Sequence, residues 1–208
     1  MSSTAKMLFD LMVGISHAPK DISQADRRVI NNSILLNNKI VTMHKSIDRL
    51  DAKRNSTYSI HTQVNELAPT LEANVLIKPE TKSALKVRIT NLLELLKQGI
   101  TLDTNLTALD QVTVQLKDQL LDYIKAYFSK NKPEQDTVTE KDTITKTVEE
   151  RSKEANLLIK SFDALYPQIG SHYEEIRRST PGTLNLRSLT SLEAPHADAE
   201  NAPAPRNE

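Results

Sequence analysis

Between Ile22 and Val64 an apolar residue falls at nearly every seventh place: Ile22, Val29, Leu36, Met43, Leu50 and Val64, with Thr57 as the one exception. A sevenfold apolar repeat marks a helix that buries one narrow stripe against other helices. The companion positions four residues on supply Ile40 and Ile47, but also Asp26, Ser33, Arg54 and His61. The stripe is apolar mainly in its middle, so it serves a helix packed on others better than one standing alone.

Glycine, the residue that tight turns and hairpins need, occurs only 4 times in 208 residues, which argues against sheets and for long uninterrupted elements. The apolar fraction of 38% lies below the roughly 45–50% of ordinary globular domains. Aromatics make up 4% and Trp is absent, so narrow seams between helices suit this chain better than a wide core. The expected fold is all-α: an elongated antiparallel bundle of three long coiled-coil-like helices, with a short N-terminal helix and a disordered C-terminal tail.

Proline punctuates the chain. Residues 4–16 place Met7, Leu8, Leu11, Met12 and Ile15 on one face of a short helix that Pro19 ends. Such a helix folds back on the bundle or docks on a lipid surface or partner, and its polar face lacks the basic band that anionic membranes select. The first long helix is expected over about 22–67, with Asp21 and Gln24 at its start and Pro69 at its end. A connector up to Pro79 packs on the end of the bundle, and a second helix runs over about 80–130.

Two apolar stripes on that second helix, Leu85 to Leu96 and Leu102 to Tyr127, are offset by about three residues across Gly99. A tolerated stammer is preferred there over a hinge at 97–103. The third helix, about 137–178, carries Val138, Thr145, Ser152, Ile159, Tyr166 and Tyr173 beside Lys141, Val148, Ala155, Phe162, Ile169 and Ile176. A kink or a short interruption is expected at Pro167, whose ring lacks the amide proton that would reach Asp163. The resulting division is 1–19 for the N-terminal helix, 20–178 for the bundle and 179–208 for a flexible tail, in which Leu184, Leu186, Leu189 and Leu192 are an alternative docking motif.

Basic and acidic residues balance at 27 each, whereas a general nucleic-acid binder carries a basic excess that neutralises phosphates. A local anion or nucleic-acid contact through Lys39, Lys45, Arg49, Lys53 and Arg54 is the remnant of that reading. The same basic bias over 20–67 predicts that this stretch lies beside the acidic last helix. Cysteine is absent, which removes disulfides and thiol chemistry and agrees with a cytoplasmic setting, with secretion left open.

No stretch is long and apolar enough to cross a bilayer. No glycine-rich phosphate loop, nucleophile elbow or His-Glu-x-x-His pattern occurs. His44 and Asp48 share a helix face at a four-residue step, where an exposed pair is preferred over a weak metal site; His61 falls on the predicted seam.

These readings point to a non-enzymatic interaction or scaffold protein without cofactor, metal or small-molecule substrate. It would self-associate or join a multi-subunit assembly of proteins through a seam comprising Val29, Leu36, Met43, Leu50, Ile159, Phe162, Tyr166 and Ile169. The alternative is a helical protein of the membrane or lipid surface, including the pore-forming kind, that uses its amphipathic helices.

Overall fold

The computed structural model describes residues 24–128 and 134–193. The helix expected over 4–16 and the tail beyond 193 lie outside the described residues. Every regular element is helical: α1 (Gln24–Asp48), α2 (Asp51–Ala73), α3 (Pro79–Phe128), α4 (Glu134–Ser179), a 3-10 turn (Gly182–Leu184) and α5 (Leu189–Glu193). The protein is an all-α bundle of long helices packed on one another.

Two differences from the expected boundaries have physical causes. The helix expected over 22–67 is two helices, because Arg49 and Leu50 form a turn between α1 and α2. Asp51 opens α2 with an acid at the positive end of the helix dipole, and Arg54 donates to Asp51 Oδ1 at 2.9 Å. The second helix also does not stop at Pro69 but runs on to Ala73. Pro69 is on the exposed face, where water can serve the carbonyl that lost its partner, while Leu67 and Leu71 on either side are buried.

The chain divides into two compact units, each built from separated segments. Unit 1 comprises Met1–Asp48 and Asn105–Ile159; unit 2 comprises Arg49–Thr104 and Lys160–Glu208.

In unit 1, α1 buries Leu36, Ile40, Met43 and Ile47 at alternating four- and three-residue steps, as the repeat requires. The part of α3 in this unit buries Leu106, Leu109, Thr113, Leu116, Leu120, Tyr123 and Ile124, and α4 adds Ile144, Val148 and Ala155. Lys39 Nζ lies 3.5 Å from Glu149 Oε1, which sets basic α1 beside acidic α4 as the charge bias predicts.

In unit 2 the core runs through Ile60, Val64, Leu67 and Leu71 of α2, Leu85, Ile89, Leu92 and Leu96 of α3, and Leu165, Ile169, Tyr173 and Ile176 of α4. His61 is therefore off the seam. The sevenfold series stays buried across the turn at Leu50, Thr57 and Val64, but its companion moves one place earlier: Ile60 takes the buried place, and His61 is half-exposed with Asn65 Nδ2 3.1 Å from its Nε2. Lys53 Nζ meets Asp163 Oδ1 at 2.6 Å, again basic against acidic.

Helix α3 is unbroken through Gly99. The phase change falls beyond Gly99, because the buried face continues through Gly99 and Asp103 before two successive three-residue steps to Leu106 and Leu109. Gly99 lies in close contact: a Cβ there would stand 3.2 Å from Ile169 Cδ1 and 3.2 Å from Thr57 Cγ2. Helix α4 likewise runs through Pro167 without a break. Pro167 is exposed between buried Tyr166 and Ile169, so packing on both sides holds the helix in place.

Candidate interaction surfaces

Most of the predicted seam is buried by the chain itself. Leu36 and Met43 belong to the core of unit 1, Leu50, Phe162, Tyr166 and Ile169 are buried in unit 2, and only Val29 and Ile159 remain half-exposed. The seam as it stands closes within one chain.

The basic group is similarly divided. Lys39 and Lys45 lie in unit 1, and Arg49, Lys53 and Arg54 in unit 2. Lys39 faces Glu149, and Lys53 binds Asp163 with its ammonium 5.8 Å from the centre of the Tyr166 ring. Arg54 is held by Asp51 and by Asp103, a buried carboxylate whose second oxygen accepts from the Tyr58 hydroxyl at 2.7 Å. Burial alone would lower the Arg54 guanidinium, but Asp103 and Asp51 together hold it above its ordinary value. Lys45 and Arg49 are exposed. Arg54 thus serves a buried tie between α2 and α3, with its charge facing inward.

One group in unit 1 has the composition of a cation site. Potential ligand atoms of His44, Asp48 and Asp110 lie within 4.8 Å of one another. The two imidazole nitrogens already face carboxylates, Nδ1 at 2.5 Å from Asp110 Oδ1 and Nε2 at 3.4 Å from Asp48 Oδ2. A metal would have to displace one of these contacts to reach a nitrogen lone pair, so the arrangement serves first as a polar tie between α1 and α3. The four-residue step of His44 and Asp48 was legible; the arrival of Asp110 from another helix was not.

After Ser179 the leucine-bearing segment docks on unit 2. Leu184, Leu186, Leu189 and Leu192 pack against its core, and polar contacts fix the path. The Tyr173 hydroxyl lies 2.7 Å from the Arg187 carbonyl and 3.1 Å from Gln63 Oε1, and that same Gln63 oxygen accepts the Arg187 amide at 3.0 Å. The Leu189 amide donates to Glu174 Oε1 at 2.9 Å. The Tyr166 hydroxyl is 2.6 Å from Glu193 Oε1 and 3.0 Å from Ser56 Oγ; a carboxylate only accepts, so the phenol proton goes to Glu193.

Burial and the Glu193 bond both push Tyr166 well above the ordinary phenol range. Burial, reinforced by Glu174, pushes Tyr173 up to about 12. Gly170 allows the close approach of the strap, since a Cβ there would meet Leu189 Cδ2 at 2.9 Å.

Two of the open surfaces among the described residues carry large apolar side chains. In unit 1 a groove of about 330 Å³ runs between α1 and α4, with Leu35 and Met43 on one wall and Ala155 and Ile159 on the other. Leu35 is 61% exposed. In unit 2 the turn after α2 holds Val75 and Leu76 outward at 90% and 86% exposure. This turn is ordered by chemistry: Asn74 Oδ1 accepts the Leu76 amide at 2.9 Å, and the next residue, Ile77, is buried. The expected packing of the 69–79 connector on the bundle is provided by Leu71 and Ile77, both buried.

The fold defines the class, an all-α helical bundle. No family model, curated protein or solved structure matches the chain. Among the described residues no helix is long and apolar enough to cross a membrane.

Proposed function

We propose that this protein is a non-enzymatic interaction or scaffold protein of the cytoplasm, whose coiled-coil-like bundle self-associates or joins a multi-subunit assembly. The observation that carries the reading is the Val75–Leu76 turn, where two adjacent large apolar side chains are nearly fully exposed on a hydrogen-bonded turn. Scattered apolar residues on a surface need no explanation, but an adjacent pair held outward on an ordered turn is a small, preformed anchor. It replaces the predicted seam as the contact surface, because most of that seam is occupied inside the chain.

The test is a Val75→Ser, Leu76→Ser double variant compared with the unmodified protein by light scattering and by affinity capture from the native source. Both side chains are exposed, so the variant keeps its helical circular dichroism while the oligomer or the captured partner is lost. An unchanged oligomer and an unchanged set of partners would overturn the reading. Liposome flotation separates the membrane alternative: binding that persists at high salt and disappears in the double variant would assign the turn to a lipid surface.

A further inference from the structure

The tie between His44, Asp48 and Asp110 in unit 1 is lopsided. On one side His44 Nδ1 stands 2.5 Å from Asp110 Oδ1, a short hydrogen bond in which the ring nitrogen has to donate, because a carboxylate only accepts. Asp110 is itself held within α3: the buried Thr113 hydroxyl donates to the Asp110 carbonyl at 2.7 Å and lies 3.4 Å from Asp110 Oδ1. A neutral imidazole carries one ring proton, so a proton fixed at Nδ1 leaves the lone pair on Nε2.

On the other side Nε2 stands 3.4 Å from Asp48 Oδ2, longer than the roughly 2.7–2.9 Å of a charge-assisted hydrogen bond. Two acceptors flank this gap, and its width is the one a bound ion sets: ligands about 2.0–2.2 Å from a tetrahedral zinc stand roughly 3.3–3.5 Å apart. Asp48 is also the last residue of α1, where an acid opposes the negative end of the helix dipole and a cation complements it. The two side chains are 35% and 49% exposed, open enough for water to fill the remaining coordination positions.

We propose that His44 Nε2 and the Asp48 carboxylate bind a divalent transition-metal ion of the zinc class, with Asp110 as the positioning residue that keeps the imidazole proton on Nδ1. The contact that yields to the ion is the loose one, and the tight one is kept. Carboxylate, imidazole and metal then stand in the order that fixes the orientation of a ligating ring and raises its basicity. The imidazole nitrogen selects zinc, nickel or copper over magnesium and calcium, which take oxygen ligands. The ion braces the last turn of α1 and, through Asp110, its contact with α3.

The test uses the full chain at mildly alkaline pH with zinc chloride as the probe. The ring nitrogens of its five histidines are followed by long-range proton–nitrogen correlation. Before metal is added, His44 is expected as the Nδ1–H tautomer. Zinc should move its Nε2 to a metal-bound position, and magnesium chloride should move neither nitrogen. Asp48→Asn, at an exposed position, should keep the helical circular dichroism and abolish the His44 shift. Asp110→Ala should weaken zinc binding about 10–100-fold and release the tautomer in the metal-free protein, a change that a merely structural role would not produce.

A His44 ring unmoved through millimolar zinc would overturn the proposal, and so would a shift at Nδ1 in place of Nε2. Unchanged zinc affinity in Asp48→Asn would overturn it as well, and unchanged affinity in Asp110→Ala would remove the positioning role. None of these readouts depends on assembly through Val75 and Leu76, so the two readings fail separately.

Discussion

The hydroxyl of Tyr173 stands 2.7 Å from the carbonyl oxygen of Arg187 and joins the docked C-terminal segment to the core of unit 2. Its ring is fully buried, and its proton is retained up to about pH 12, above the ordinary 10.0. The unfolded chain gives that proton up at lower pH than the folded chain does. The stability this supplies is complete below pH 10 and is lost as the pH rises through about 12. Chemical denaturation followed across that range, with tyrosinate absorbance as the second signal, should show unfolding and ionisation of Tyr173 occurring together, and Tyr173→Phe should flatten the alkaline loss.

Glu174 gives the same segment an acid limit. Burial alone would raise its carboxyl, but the Leu189 amide, Arg177 and Arg178 together hold it below the ordinary 4.5. Its contribution is complete above that value and is lost as the pH falls through the lower folded value. Hydrogen exchange at the Leu189 amide, corrected for intrinsic rates, should quicken on acidification through that range. In Glu174→Gln it should be fast already at neutral pH and respond little to acid.

Gly99 separates two costs. Its neighbours, Ile169 Cδ1 and Thr57 Cγ2, are side-chain ends 3.2 Å from the place a Cβ would take. Those ends can yield by a few tenths of an ångström, and Ala gains up to about 1 kcal/mol in helix propensity, so Gly99→Ala should change stability by less than about 1 kcal/mol. Gly99→Leu overfills the same contact and should cost about 1–3 kcal/mol. Urea midpoints of the two variants check the ordering.

Asp103 is 7% exposed and answers both Arg54 and Tyr58. Asp103→Ala strands a guanidinium whose side chain is only 16% exposed. The loss should fall toward the low end of about 3–5 kcal/mol, because Asp51 remains 2.9 Å from Arg54. Replacing Arg54 and Tyr58 as well, by Met and Phe, should recover part of it in the same denaturation experiment, since no buried charge is then left without its partner.

How far the sequence could be read depended on how local each cause was. The spacing of Leu36, Ile40, Met43 and Ile47, and of Val148, Ala155, Phe162 and Ile169, is a local property of a helix, and those residues are buried as the repeat requires. The turn at Arg49–Leu50 carried a weaker sign: the companion series becomes polar at Arg54 and His61, while apolar Ile60 and Leu67 appear one place earlier. Asp103 lies on the buried stripe at the step between Gly99 and Leu106, a place where a lone acid signals a buried partner. The meeting of His44 with Asp110 had no comparable sign, since it depends on which helices become neighbours.

Neither unit is encoded in one continuous stretch. The groove wall that carries Gln63 finds its partners at Tyr173 and Arg187, more than half the polypeptide later. On the ribosome, α2 can meet α3 as soon as that helix emerges, but it must wait for most of the remaining message to be translated before α4 completes their core. A nascent chain cut short before Arg187 would leave Gln63 and Tyr173 without their last neighbour, exposed to chaperones and proteases.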